Sequence, residues 1–219
     1  GSVLSFIVPD VNLYITFSVH TSIIHRMTTY TQHNVLASRI LGNESKSGGF
    51  GAGIALRNGG IHSIQDTTFQ SNHAQGKGGA IYLDHALLDT THQMSIRNVQ
   101  CRGNSASFGS STGGCLYSRG RLSMTISDSV IADNMSALSG AGLAIHDAGQ
   151  PLKLENVTLT KNRARGGEGG ALLVEASSDS NVTPVQILPS TFEDNRAETY
   201  GGAISVGNTL NAFGNLEVV

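Results

Sequence analysis

The chain has 219 residues and a formal net charge of −2, and Asp, Glu, Lys and Arg together make up only 14% of it. Soluble proteins usually carry about 25% charged residues. The low charge excludes disorder driven by charge and disfavours the basic surface of a nucleic-acid-binding protein. No apolar run is long enough to predict a membrane-spanning helix. The 27 glycines, 25 serines and 17 threonines instead favour short strands joined by tight turns.

The first motif to recur along the chain is an apolar residue followed three positions later by asparagine. Six copies occur, at Ile40–Asn43, Phe69–Asn72, Cys101–Asn104, Ile131–Asn134, Leu159–Asn162 and Phe192–Asn195. Successive asparagines are separated by 28 to 33 residues. A period of about 20 to 50 residues is typical of solenoids, in which each unit buries its apolar face against the next unit.

A glycine block follows each of these asparagines within a few residues. The six copies begin at Gly51, Gly78, Gly113, Gly140, Gly169 and Gly201, and each contains a small residue and then an aliphatic one. Glycine permits positive φ and a close approach between neighbouring coils, where a Cβ atom would clash. The block is therefore predicted to form a turn that leads into a strand.

A third motif alternates apolar and polar residues and begins about ten residues before the asparagine. Met94-x-Ile96, Met124-x-Ile126 and Leu152-x-Leu154 are examples. Alternation with period two indicates a strand with one buried face. With the strands at the glycine block and at the asparagine motif, each repeat holds three short strands and no helix. The sequence thus predicts an all-β, parallel β-helix of about six to eight coils stacked at about 4.8 Å.

The repeats define one domain, 1–219, with three regions. Residues 1–39 are predicted to form irregular or degenerate coils, residues 40–206 hold the six repeats, and residues 207–219 begin a further coil. Neither end shows the polar cap that solenoids use for solubility. We expect the chain to belong to a longer repeat protein or to stack end to end with copies of itself.

The asparagines occupy one site in every coil and are predicted to have a structural role. Their side-chain amides can bond to the asparagine in the next coil, which gives a ladder, and asparagine also accepts a left-handed turn conformation. The ladder comprises Asn43, Asn72, Asn104, Asn134, Asn162 and Asn195. A second column, Asp66, Asn98, Asp128 and Asn156, has residue types that suit a turn.

The paired motifs resemble the repeats of the chlamydial polymorphic outer membrane proteins. Phe69–Asn72 with Gly78-Gly79-Ala80-Ile81 carries this resemblance, as does Phe192–Asn195 with Gly201-Gly202-Ala203-Ile204. The likeness covers roughly residues 40–204. It implies a right-handed coil, a surface-exposed location and a role in adhesion.

One column of charged residues lies six positions after the first glycine of each block. It contains Arg57, Asp84, Arg119, His146 and Glu175, with signs that nearly alternate. We interpret it as a surface charge column in which neighbouring coils pair opposite charges. The alternative is a catalytic groove of a polysaccharide lyase or hydrolase, which would need clustered carboxylates or a carboxylate-bound calcium. The eight histidines show no metal-ligand spacing, so no metal, cofactor or catalytic residue is predicted.

The two cysteines lie in the same coil. Cys101 replaces the large apolar residue of the asparagine motif, and Cys115 replaces the small residue of the glycine block. One position loses volume while the other gains it, so we predict that the two side chains are adjacent across the interior. The residues leave open both a disulfide, which would indicate an oxidising compartment, and a pair of buried thiols.

Four sequons for N-glycosylation occur, at Asn43, Asn134, Asn156 and Asn181. Asn43 and Asn134 belong to the ladder, so Asn156 and Asn181 are the candidate glycosylation sites if the source is eukaryotic. The longest loops, Asp84–Gln93, Glu175–Pro184 and Gly207–Asn215, are polar. Loops carried by a rigid scaffold often bind partners.

These features together predict a non-enzymatic, extracellular or cell-surface β-helix that serves as a scaffold, fibre or adhesive stalk. The expected partners are other copies, neighbouring segments of a longer chain, glycans or cell-surface proteins, and no nucleic acid. The alternatives are a carbohydrate-active enzyme and a glycan-binding module without turnover.

Overall fold

A computed structural model describes residues 23–26, 33–57, 62–85, 92–120, 122–146, 148, 150–176, 185–208 and 216–218. Within these ranges the strands form four parallel sheets of seven, seven, six and five strands, and no helix is present. We number the sheets 1 to 4 in the order in which the chain enters them. Four successive strands belong to sheets 1, 2, 3 and 4, and the fifth strand lies in sheet 1 again, beside the first. This is a right-handed parallel β-helix, as predicted. Asn181 and most of the three long loops lie outside the described residues.

The strands of the two larger sheets follow the glycine block and the alternating motif. Sheet 1 contains β1 (Ile23–Arg26), β5 (Ile54–Arg57), β9 (Ile81–His85), β13 (Leu116–Gly120), β17 (Leu143–His146), β21 (Leu172–Ala176) and β24 (Ile204–Asn208). Sheet 2 contains β2 (His33–Leu36), β6 (His62–Gln65), β10 (His92–Arg97), β14 (Leu122–Ser127), β18 (Leu152–Glu155), β22 (Val185–Ile187) and β25 (Leu216–Val218).

The strands of the two smaller sheets lie on either side of the asparagine column. Sheet 3 contains β3 (Arg39–Leu41), β7 (Thr68–Gln70), β11 (Gln100–Arg102), β15 (Val130–Ala132), β19 (Thr158–Thr160) and β23 (Thr191–Glu193). Sheet 4 contains β4 (Glu44–Ser45), β8 (His73–Ala74), β12 (Ser105–Ala106), β16 (Met135–Ser136) and β20 (Arg163–Ala164). The three predicted strands of each coil are therefore joined by a fourth of two residues, too short to produce an alternating pattern in the sequence.

The interior of the coil is filled by aliphatic columns from the first three sheets. Ile81, Leu116 and Leu143 form one column and are at most 1% exposed. In sheet 3, Phe69 and Ile131 are also buried on either side of Cys101. Fully burying one such side chain contributes about 1.5 to 3 kcal/mol. The parallel register places equivalent residues of the repeat directly above one another, so these columns run along the stack.

The asparagine column forms a continuous hydrogen-bond ladder inside the corner between sheets 3 and 4. The side-chain amide of Asn72 donates to Oδ1 of Asn104 at 2.9 Å, and the backbone N–H of Asn72 donates to the same oxygen at 2.9 Å. Asn104 repeats both bonds with Asn134, at 3.0 and 2.9 Å. The same pattern links all six asparagines of the predicted ladder, from Asn43 to Asn195. Each turn is thereby tied to the next through buried polar groups.

The left-handed conformation predicted for the ladder asparagines is found one residue earlier. Gly42, Ser71, Gly103, Asp133, Lys161 and Asp194 have φ between 52° and 64° in this corner. The ladder asparagines themselves are absent from the positive-φ residues. The prediction was wrong because the turn must be completed before the side chain can point into the corner and reach its partner. The second column agrees with the sequence, since Asp66, Asn98, Asp128 and Asn156 have φ of 50° to 53°.

A hydroxyl column that the sequence analysis missed lies in the corner between sheets 2 and 3. Ser129 Oγ donates to the carbonyl of Ser127 at 2.6 Å and accepts the N–H of Val99 at 3.0 Å. Thr67 and Ser190 accept the equivalent backbone N–H groups of the preceding turn. These positions fall five residues before a ladder asparagine, which is the signal that could have identified them.

Candidate functional site

The outward face of sheet 1 collects the predicted charge column. Strand residues alternate between the two faces of a sheet, so that Ile81 and Leu83 point inward while Tyr82 and Asp84 point outward. The register pairs Arg57 with Asp84, Asp84 with Arg119, and Arg119 with His146. The structure thus brings the column together as one line across neighbouring turns.

A stack of rings runs beside this column. The ring centroids of Phe50 and Tyr82 lie 4.8 Å apart, those of Tyr82 and Tyr117 lie 5.4 Å apart, and those of Tyr117 and His146 lie 5.0 Å apart. The spacing follows the distance between neighbouring strands. Tyr82 is 5% exposed and Tyr117 only 1%. Their ring faces are therefore used within the protein and are not open to a ligand.

Two cations cover the rings. The guanidinium carbon of Arg57 lies 5.7 Å from the ring centroid of Phe50 and 5.4 Å from that of Tyr82. Lys77 Nζ lies 4.6 Å from the ring centroid of Tyr117 and donates to its hydroxyl at 3.2 Å. Cation–π contacts of this kind contribute about 0.5 to 2 kcal/mol. They tie the turns before the glycine blocks to the outer face of sheet 1.

Tyr82 is held as a hydrogen-bond donor. Its hydroxyl donates to Asp84 Oδ2 at 3.0 Å. Burial, and then the neighbouring Asp84 carboxylate, raise the pKa of Tyr82 to about 12. The phenol therefore keeps its proton at neutral pH, which makes it unsuited to act as a general base there.

His146 and Glu175 form an ion pair across adjacent turns. The His146 Nδ1 atom lies 2.5 Å from Glu175 Oε2, and His146 Nε2 lies 3.4 Å from Thr112 Oγ1. The hydrogen bond from His146 lowers the pKa of Glu175, and the charges of His146 and Lys77 act in the same direction. The pair adds an electrostatic link between turns that is partly screened by solvent.

Replacing Glu175 by glutamine should reduce the loss of stability on the acidic side. A carboxyl group whose pKa is lowered in the folded state stabilises the protein above its unfolded-state pKa, and this contribution is lost as the pH falls through the folded-state pKa. We expect thermal unfolding between pH 6 and pH 3 to show a shallower decline for Glu175→Gln, by about 1 kcal/mol or less. In a His146→Ala background, the same substitution should alter the profile less, because only Lys77 then lowers the pKa of Glu175. An unchanged profile in the wild-type background would contradict the pairing.

Residues that immediately precede the glycine blocks complete this face, and the sequence analysis missed them. Phe50, Lys77 and Thr112 precede Gly51, Gly78 and Gly113. Glu168 holds the same position before Gly169 and accepts a hydrogen bond from Ser205 Oγ at 2.6 Å. The position varies in chemistry from repeat to repeat, so its shared location is recognisable only when the blocks are aligned.

Cys101 and Cys115 are joined by a disulfide across the interior. Their Cα atoms are 6.1 Å apart, and the two residues are 0% and 3% exposed. The bond links sheet 3 to the turn before sheet 1 within one coil, and the structure thereby selects the disulfide over two buried thiols.

The Cys101→Ala/Cys115→Ala double variant should lose about 3 kcal/mol of unfolding free energy. The bond closes a loop with a sequence separation of 14 residues, and the entropy of such a loop in the unfolded chain sets this value. Urea unfolding of the variant and of the wild type measures the difference. In the wild type, thiol labelling should require both reductant and denaturant, and labelling without either would contradict the bond.

The sequons differ sharply in exposure. Asn43 and Asn134 are 5% and 1% exposed within the ladder. Asn156 is exposed and donates to Asp128 Oδ1 at 2.9 Å. Asn156 is therefore the one accessible acceptor among the three that fall in the described ranges.

No helix in the described part of the chain is long and apolar enough to cross a membrane. Comparison with curated proteins and with solved structures gives no significant match. The family described as "Right handed beta helix region" matches residues 23–216, a span that includes all four sheets. The chain therefore belongs to the family of right-handed β-helix proteins.

Proposed function

We propose that this protein is a non-enzymatic, extracellular β-helical scaffold that acts as a cell-surface stalk. The observation that carries the proposal is the way in which the polar groups on the outward face of sheet 1 bind one another. Tyr82 donates to Asp84, Lys77 donates to Tyr117, and His146 pairs with Glu175. Groups that bind their neighbours on the same strand or on adjacent turns stabilise the stack, whereas catalysis requires groups aimed at a substrate.

The proposed location rests on the disulfide. Structural disulfides persist in oxidising compartments such as the cell exterior and the periplasm. The motifs shared with chlamydial polymorphic outer membrane proteins support the same location and an adhesive role. Antibody labelling of intact source cells tests it, and labelling that requires permeabilised cells would contradict a surface location.

Further turns of the same repeat are the partners proposed for the stack, in the same chain or in another copy. Phe192 and Ile204 are half-buried and Val206 is 45% exposed, whereas the equivalent Phe69 and Ile81 are buried. A turn stacked on these residues would cover them and pair the strand edge. Light scattering of the purified chain shows whether the stacked turn comes from another copy. Concentration-dependent oligomers indicate stacking of copies, and a monomer at high concentration excludes it.

An enzyme acting on acidic polysaccharides is the second candidate. Lys77 beside the Tyr117 hydroxyl and the His146–Glu175 pair are the observations that favour it, because such pairs can transfer protons. The 1% exposure of Tyr117 favours the scaffold. We expect no product from pectin, alginate or glycosaminoglycans. If the wild type cleaved one of these polysaccharides and Asp84→Ala or Lys77→Ala abolished the cleavage, the enzyme proposal would replace the scaffold proposal.

A further inference from the structure

Three arginines form a cluster on the outward face of sheet 4. Arg163 in β20 is bridged in parallel register to Arg196 of the next turn. Arg165 follows directly after the end of β20, two residues beyond Arg163. All three residues are exposed. We call Arg163, Arg165 and Arg196 the arginine patch.

The arginine patch places like charges side by side. Neighbouring strands are about 4.8 Å apart, and like charges directly opposite each other are destabilising. The three guanidinium groups form no ion pair or side-chain hydrogen bond with the rest of the described chain. Glu198, two residues after Arg196, is among the described residues with which they form no such contact.

The charge column on sheet 1 shows that this arrangement is not general in the molecule. There Asp84 separates Arg57 from Arg119, and Glu175 pairs with His146. A chain with only 14 Lys and Arg residues thus alternates opposite charges on one face and, within the described residues, places three arginines without an acidic partner together on another. An anionic ligand bound between the three guanidinium groups would attract each of them and so offset their mutual repulsion.

We propose that the arginine patch binds an anionic glycan through its sulfate or carboxylate groups. Guanidinium groups match both oxyanions with paired N–H donors, and a short basic segment such as residues 161–165 is typical of sites for such polyanions. The glycan assignment rests on the proposed extracellular function, because glycans are the polyanions available there.

Titration with a heparin-derived octasaccharide at two salt concentrations tests the proposal. Arg163→Gln/Arg196→Gln should weaken binding at least tenfold and reduce the slope of log K against log salt by about two, one for each cation removed. The matched control is Arg39→Gln/Arg102→Gln, which makes the same charge change at exposed residues on sheet 3 and should bind as the wild type does. Arg163→Lys/Arg196→Lys, which keeps the charge, should recover part of the affinity.

Two further probes identify the anionic group and the class of ligand. Fully desulfated heparin, which keeps its carboxylates, distinguishes carboxylate from sulfate recognition. Single-stranded DNA of matched charge should bind more weakly than the octasaccharide, and equal or tighter DNA binding overturns the glycan assignment.

Equal losses of affinity in the two glutamine variants, or no glycan binding by the wild type, would contradict the assignment of the binding site to the arginine patch. Circular dichroism and thermal unfolding should show both variants folded, and surface labelling of source cells tests the scaffold function independently.

Discussion

Asn104→Ala is expected to lower the free energy of unfolding by about 4 kcal/mol. The substitution removes the oxygen that accepts both the backbone N–H and the side-chain amide of Asn72. It also removes the side-chain amide that donates to the carbonyl of Phe69 and to Oδ1 of Asn134, and that oxygen then keeps only the backbone N–H of residue 104. Each buried polar group left without a partner costs about 1 to 3 kcal/mol, and Asn72 and Asn104 are both 0% exposed.

The same substitution at Asn195 provides the matched control. Asn195 makes equivalent bonds to Asn162 and to the carbonyl of Leu159, but it is only half-buried. Water can replace some of the hydrogen bonds that the substitution removes at this position. We therefore expect a loss of about 1 kcal/mol of unfolding free energy, near the net value of a single hydrogen bond. Urea unfolding followed by circular dichroism measures both variants. Equal costs at the two positions would mean that the ladder contributes nothing beyond the local turn.

Gly79→Ala is expected to cost about 3 kcal/mol or more, or to prevent folding. A Cβ atom at Gly79 would lie 2.1 Å from the carbonyl oxygen of Gly114 and 2.6 Å from backbone atoms of Ser105. The obstacle is the backbone of the next turn, so no side chain can rotate away. Relief would require the turns to separate and to break the bond from Gly79 N–H to the Gly113 carbonyl. Overpacking normally costs about 1 to 3 kcal/mol, and a rigid backbone places this case at the upper end.

Gly202→Ala is the control for the glycine prediction. Its Cβ atom would approach the Asn195 carbonyl oxygen at 3.4 Å, which is ordinary contact. We expect a change within about 0.5 kcal/mol, as for most surface substitutions. Thermal unfolding of the two alanine variants should therefore separate them clearly. Similar melting temperatures would contradict the prediction, because they would show that neighbouring turns can move apart at little cost to accommodate the Cβ atom.

Alanine does occur at the middle of two glycine blocks, and the structure explains how. Where Ala52 and Ala141 stand, the next residue is Gly53 or Gly142. In the first of these blocks the Ala52 N–H donates to the Gly79 carbonyl, the second residue of the next block, whereas the Gly79 N–H donates to the Gly113 carbonyl, the first residue of its next block. One of the two middle positions in each block is always glycine. This regularity was visible in the sequence, but its reason lies in the contacts between turns.

The repeat in the sequence was sufficient to predict the fold and most of its columns. Ile40, Phe69 and Cys101 share one position of the repeat and one column of sheet 3. The ladder asparagines and the charge column were found in the same way. Parallel stacking explains this success, because residues at equivalent positions of successive repeats become neighbours in space. A pattern with a period of about 30 residues therefore encodes contacts as well as strands.

Only the tertiary structure decided how the turns fold back against the sheets. It placed the left-handed residue before Asn104 rather than at it, and it brought Lys77 over the ring of Tyr117. It also set Arg196 beside Arg163, although 33 residues separate them along the chain. Strand alternation and the repeat period determine which residues share a column. Corner geometry and side-chain reach depend on the exact path of each turn, which no period in the sequence specifies.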